Sequence, residues 1–111
     1  MSQRLSKQPL VSVVIPAYNA ALYLEAAVKS LHAQTHTHLH IIIVNDGSKD
    51  ETAKVTDRLA AHDERIQVIH KANAGVSAAR NDAMRTVRGE YVCFLDADDA
   101  YLPEKIAKQV Q

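Results

Sequence analysis

Four short apolar runs alternate with four stretches of helical period along this chain. Residues 10–15 and 39–44 are almost unbroken in Val, Ile and Leu, as expected of strands buried on both faces. Residues 66–70 and 91–95 supply a third and a fourth strand. Between the first two runs, Leu24, Ala27, Val28 and Leu31 recur at i, i+3, i+4 and i+7, the stripe of an amphipathic helix, with Asn19 as its expected cap. Thr52, Val55, Thr56 and Leu59 repeat the pattern, and Ser48 with Glu51 three residues later reads as a capping box that starts the second helix at the Gly47-Ser48 turn. The third helix is expected from Val76 to Val87, ending before Gly89. Pro103 suits the first turn of a fourth, whose Ile106 and Val110 lie one turn apart. This alternation predicts an α/β fold, an open, mainly parallel sheet flanked by helices and built from four βα units.

At 111 residues the chain holds one domain at most. The polar segment of residues 1–9 precedes it, and residues 10–111 form it. Lys plus Arg equals Asp plus Glu at 13 each, with no basic stripe and only 5% aromatic residues, so nucleic acid is not an expected partner. The single cysteine, Cys93, lies inside an apolar run, which rules out an internal disulfide and fits a reducing compartment. No secretory h-region opens the chain, and no window reaches the length of a membrane span. A soluble, cytoplasmic protein is therefore expected, with peripheral attachment at the inner membrane face as the alternative for a longer parent. The final helix is cut at Gln111, so the chain reads as the front portion of a longer sequence.

Ligands of open α/β sheets bind outside the carboxyl ends of the strands. Four unusual loops share that address: Pro16-Ala17-Tyr18-Asn19, Asn45-Asp46-Gly47-Ser48, Asn73-Ala74-Gly75 and Asp96-Ala97-Asp98-Asp99. The last carries the most information. Carboxylates at the mouth of a buried strand repel one another and lose hydration unless a cation joins them. Mg²⁺ or Mn²⁺ prefers such oxygens and binds through one or two carboxylates plus substrate phosphates. The plainer reading is an acidic turn capping the next helix. A dinucleotide fingerprint is excluded, because the only glycines are Gly47, Gly75 and Gly89, and no P-loop is present.

Four blocks then resemble one family in order and spacing. They are Val11-Ser12-Val13-Val14-Ile15-Pro16-Ala17-Tyr18-Asn19, Val44-Asn45-Asp46-Gly47-Ser48, Asn73-Ala74-Gly75-Val76-Ser77-Ala78-Ala79-Arg80-Asn81 and Gly89-Glu90-Tyr91-Val92-Cys93-Phe94-Leu95-Asp96-Ala97-Asp98-Asp99. The chain is similar to the N-terminal, donor-binding half of a family 2 glycosyltransferase with the GT-A nucleotide-diphospho-sugar fold. The resemblance implies strand order 3-2-1-4 and an inverting transfer from a nucleoside-diphosphate sugar, a UDP-sugar first, to an acceptor hydroxyl, with cell-envelope polysaccharide synthesis as the setting. It implies that Asp46 accepts the imide N–H of a uracil or thymine ring, that Tyr18 lies against the base, and that Pro16, Ala17 and Asn19 shape the loop around base and ribose. Asn73 and Gly75 would complete the nucleotide site, and Arg80 would reach the nucleotide or its phosphates. In Asp96-Ala97-Asp98 the resemblance assigns Asp98 to the divalent metal, Mg²⁺ or Mn²⁺, and Asp96 to ribose or metal, with Asp99 supporting the loop.

Each of these residues has a plainer role: Asp46 as a turn aspartate, Tyr18 as packing, Gly75 as a turn glycine, Arg80 in a surface ion pair. Asn45 departs from the family, where Asp is common. The catalytic base and the acceptor site are expected beyond Gln111, so little sugar transfer is expected of these residues alone. The competing functions are a nucleotidylyltransferase, disfavoured by the lack of a glycine-rich basic loop after the first strand, and a nucleotide-binding module without catalysis. His36, His38 and His40 alternate toward the second strand and mimic a metal site, but a solvated edge is the expectation. The fourth strand should lie at an open edge, exposing Tyr91, Val92, Phe94 and Leu95 and favouring a dimer or larger species.

Overall fold

The computed structural model describes residues 9–99 and 103–110. The elements follow as β1 (Val11–Ala17), α1 (Leu24–His32), β2 (Leu39–Asp46), α2 (Thr52–His62), β3 (Ile66–Lys71), α3 (Val76–Met84), β4 (Tyr91–Phe94) and α4 (Lys105–Gln109). All strand pairs are parallel, in the order β3-β2-β1-β4. The expected α/β architecture and strand order are therefore both present.

The two-residue period of the strands divides the interior. Val11, Val13, Ile15 and Ala17 of β1 and Leu39, Ile41 and Ile43 of β2 share one core with Leu24, Val28 and Leu31 of α1, Val55 of α2 and Ile106 of α4. Val14, Ile42 and Val44 face the other way and pack with Ala79 and Ala83 of α3. The chain thus lays α1 and α2 on one face while stepping from β1 to β3, then returns by α3 on the opposite face to place β4 beside β1. That reversal makes the β1/β4 boundary the topological switch point, where such sheets open a crevice.

Several local expectations are corrected. Strands β1, β2 and β3 run to Ala17, Asp46 and Lys71, because pairing continues into the loops: Ala17 lies opposite Asn45, and Asp46 opposite Lys71. Helix α3 stops at Met84, where the Thr86 N–H and hydroxyl both turn back to the Ala83 carbonyl and compete with the helical ladder. Pro103 sits in a turn before α4, not in its first turn. Leu95 is only 1% exposed, so β4, the end strand of the described sheet, exposes Tyr91 and Phe94, with Val92 half-buried against the α3-side core. Apart from Pro9, the N-terminal polar segment lies outside the described residues.

The histidines are corrected too. His38 is exposed, but His36 and His40 are buried, and His36 Nε2 donates to the Pro9 carbonyl at 2.8 Å. His40 lies opposite Ser12 in the ladder and faces α3. Ser12 Oγ accepts the N–H groups of Gly89 at 2.9 Å and Arg88 at 3.3 Å, so its one proton goes to His40 Nδ1 at 3.1 Å. That leaves His40 Nε2–H to donate to Gln67 Oε1 at 3.0 Å. A satisfied polar row therefore crosses β1, β2 and β3 at the amino edge and holds the approach to β4.

The amino edge also carries the clearest pH dependence. Burial raises the Asp63 carboxyl, but hydrogen bonds from the Arg65 side chain, the Arg65 N–H and His32 outweigh it and hold the group at about 2. The folded value lies below the unfolded one, about 3.9. The stabilisation is therefore complete above pH 4 or so and is lost as pH falls through about 2. Allowing for solvent screening, Asp63 should contribute about 1–2 kcal/mol. Thermal melts at pH 5 and pH 2 check this: Asp63→Asn should lower stability at pH 5 and leave a smaller acid dependence than the parent shows.

Candidate functional site

A hollow of about 260 Å³ opens at the switch point, lined by Pro16, Tyr18, Asn19, Ala20, Tyr23, Asp96, Ala97 and Asp98. A smaller one, about 90 Å³, adjoins it along Pro16 and Tyr18 and is completed by Ala17, Asp46, Val76 and Ala79. A third, of about 380 Å³, lies at the opposite edge of the sheet among Leu10, His38, Leu39, Glu64, Arg65 and Arg88. Volume alone would favour the third. The switch point and the gathered carboxylates favour the first two.

Asp46 ends β2 on the α3 face and is 4% exposed. Its Oδ1 accepts the Ala74 N–H and its Oδ2 the Gly75 N–H, each at 3.0 Å. Asn73 Nδ2 reaches Oδ2 at 3.3 Å, and Lys71 Nζ lies 3.6 Å from Oδ1 and 3.5 Å from Asp82. Asp46 is thus the clip that fastens the β3–α3 loop to β2. Gly75 has φ +98°, which turns successive N–H groups toward one carboxylate, and a Cβ there would meet nothing within 4 Å, so only its backbone angle demands glycine. Gly47 is different. A Cβ on it would lie 2.5 Å from the Asn73 nitrogen, so it lets the β2–α2 and β3–α3 loops touch.

Asn19 does not cap α1, which begins at Leu24 after Tyr23. It holds a left-handed φ of 49°, which asparagine tolerates, and joins loops. Its N–H donates to Ser48 Oγ at 3.0 Å, and its Oδ1 accepts the Lys49 N–H at 2.8 Å. The Ala20 N–H donates to Thr52 Oγ1 at 2.9 Å and the Ala21 N–H to Asp50 Oδ2 at 3.3 Å. The Ser48–Glu51 capping box is likewise absent: Asp50 Oδ1 takes the Thr52 N–H at 2.9 Å, while Ser48 serves Asn19. The hydrogen bond from the Thr52 hydroxyl is the main force lowering the Asp50 pKa. Asn45 accepts the Ser48 N–H at 3.2 Å and lies 3.1 Å from His70 Nδ1.

The acidic tetrad forms a turn closed by the Asp99 N–H on the Asp96 carbonyl at 2.9 Å. Ala97 is buried beneath it, while Asp96, Asp98 and Asp99 face outward. Arg80, one turn into α3, lies 3.9 Å from Asp96 and stacks over the Phe94 ring at 5.2 Å, with its Nε buried and without a hydrogen-bond partner. Asp98 makes no hydrogen bond or ion pair with any described residue. Among the described residues no three His, Cys, Asp or Glu side chains gather closely enough to hold a metal unaided. One free and one weakly paired carboxylate fit a cation that takes its remaining ligands from phosphate oxygens and water.

The family model described as Glycosyl transferase family 2 matches residues 12–111. The chain belongs to that family. It is 43% identical over 105 residues to the putative teichuronic acid biosynthesis glycosyltransferase TuaG of Bacillus subtilis, covering 94% of this chain and 42% of the relative. It is 44% identical over 91 residues to the glycosyltransferase EpsJ of the same organism, covering 82% of this chain and 26% of the relative. The chain therefore spans between about a quarter and two fifths of these relatives' length. Among solved structures it is similar to S. aureus TarS 1-349 in complex with UDP-GlcNAc, with TM-score 0.82 and 28% identity over 90% of this chain and 30% of that one. It is also similar to the mannosyltransferase PcManGT from Pyrobaculum calidifontis in complex with GDP-Man and Mn²⁺, with TM-score 0.79 and 27% identity over 86% of this chain and 29% of that one. The family's GT-A fold is the fold described above.

Of the residues singled out in the sequence, Pro16, Ala17, Tyr18, Asn19, Asp46, Asp96, Ala97 and Asp98 line the joined hollows. Asn73 and Gly75 reach them through Asp46, and Arg80 through Asp96. Sequence reasoning missed Ala20, Tyr23, Val76 and Ala79 on the walls and Lys71 and Asp82 behind Asp46. Val76 and Ala79 fall one turn apart at the predicted start of α3, a signal that could have found them. No helix among the described residues is long and apolar enough to cross a membrane.

Proposed function

We propose that this chain is the donor-binding half of an inverting family 2 glycosyltransferase, taking a nucleoside-diphosphate sugar, with UDP-sugars the first candidates. The observation that carries the proposal is the pair of joined hollows, with the buried Asp46 carboxylate at one end and Asp96 and Asp98 at the other. The base occupies the pocket of Ala17, Asp46, Val76 and Ala79, where Asp46 accepts an imide N–H in place of its longer contacts to Asn73 and Lys71. Tyr18 and Pro16 divide base from ribose. Asp98 and Asp96 would hold the divalent cation that serves the diphosphate, Asp99 supports their turn, and Arg80 keeps Asp96 in place. When bound, such a cation offsets the charge that builds on the departing diphosphate. A mannosyltransferase with this fold bound to GDP-Man and Mn²⁺ supports the metal, and TarS bound to UDP-GlcNAc supports the uridine preference.

Calorimetric titration with uridine, UDP, UTP and GDP, each with and without Mn²⁺, tests the reading. Metal-dependent preference for a diphosphate is expected. Triphosphate preference would indicate a nucleotidylyltransferase, and no nucleotide binding would overturn the donor site. The chain should also self-associate through β4, since Tyr91 and Phe94 remain 44% and 43% exposed on the strand that ends the sheet among the described residues. Light scattering should report a dimer or larger species, and a clean monomer at high concentration would refute this.

A further inference from the structure

Three consecutive N–H groups, of Asn19, Ala20 and Ala21, all end on side chains of one short segment, Ser48, Thr52 and Asp50. We propose that Ser48, Asp50 and Thr52 are positioning residues, which fix residues 18–21 and thereby set Tyr18 as the wall shared by the two hollows; this rests on the donor-site reading above.

The start of α2 does not itself require this arrangement. Asp50 Oδ1 alone satisfies the Thr52 N–H, whereas Ser48 Oγ and Thr52 Oγ1 accept no N–H of α2 and instead receive N–H groups from the loop after β1. Thr52 is fully buried, and its hydroxyl both donates to Asp50 and accepts from Ala20, so each hydrogen bond orients the next. Asn19 returns the contact through the Lys49 N–H, and Asn45 fixes the Ser48 backbone from behind. Tyr18, by contrast, is 47% exposed, so its own burial does not hold it. Its place is set by the residues that follow it, and those are pinned from α2. A displacement of about 1 Å in such a wall is enough to spoil ligand geometry.

Thr52→Val keeps the shape and removes the hydroxyl, and Thr52→Ser restores it. Hydrogen exchange by NMR should show the Ala20 and Ala21 amides exchanging at least about tenfold faster in Thr52→Val, with β1 amides unchanged and Thr52→Ser close to the parent. UDP affinity with Mn²⁺ should fall roughly five- to tenfold in Thr52→Val and recover in Thr52→Ser. In a Tyr18→Ala background the same substitution should cost less than about twofold, because the group being positioned is gone. Unchanged exchange at Ala20 and Ala21, or an equal affinity loss in both backgrounds, would overturn the proposal. Should Thr52→Val fail to fold, Ser48→Ala at a half-buried site carries the same test at the Asn19 amide. A parent chain that binds no nucleoside diphosphate, while those amides still respond, would overturn the donor reading and not the loop attachment.

Discussion

Asp46→Ala is expected to weaken pyrimidine nucleotide binding by roughly 1.5–3 kcal/mol, the usual value of a hydrogen bond to a charged group, or about ten- to hundredfold in affinity. The same substitution removes the acceptor of the Ala74 and Gly75 N–H groups, so the β3–α3 loop loosens as well. Those amides sit in exposed residues and water replaces part of what they lose, which limits the cost in stability to about 1–2 kcal/mol. Asp46→Asn separates the two roles. It keeps the volume and one acceptor oxygen, so its melting temperature should lie nearer the parent's while its affinity for uridine still falls. Unchanged UDP affinity in a folded Asp46→Ala would show that Asp46 is only the clip.

Asp98→Ala should abolish the Mn²⁺ dependence of UDP binding and leave uridine affinity within about twofold. The physical reason is the division of the site. Asp98 and Asp96 line the larger of the two joined hollows, whereas Asp46 lines the smaller one, so a cation held by the first pair would serve the diphosphate and not the base. The loss for UDP with Mn²⁺ should be on the order of tenfold or more, at least about 1.4 kcal/mol. Since Asp98 is exposed and makes no hydrogen bond or ion pair with another described residue, the melting temperature should hold. Calorimetry with and without Mn²⁺ measures both arms, and equal losses for uridine and UDP would make Asp98 structural.

The sequence by itself determined the sheet, the helices and the edge at which function collects. Unbroken Val and Ile runs demand burial on both faces, and helical period between them demands crossover connections, so four loops had to meet at the carboxyl ends. Both requirements are carried by residues close together along the chain, which is why Leu24, Ala27, Val28 and Leu31 proved to be the buried stripe of α1. Partners distant in sequence were decided by tertiary structure alone. Ser48 reads as a helix cap until Asn19, 29 positions away, claims its oxygen. His40 reads as part of a solvated edge until Ser12 and Gln67 enclose it from neighbouring strands. Short polar side chains accept whichever donor the fold brings within about 3 Å, and local pattern carries no information about which donor that is.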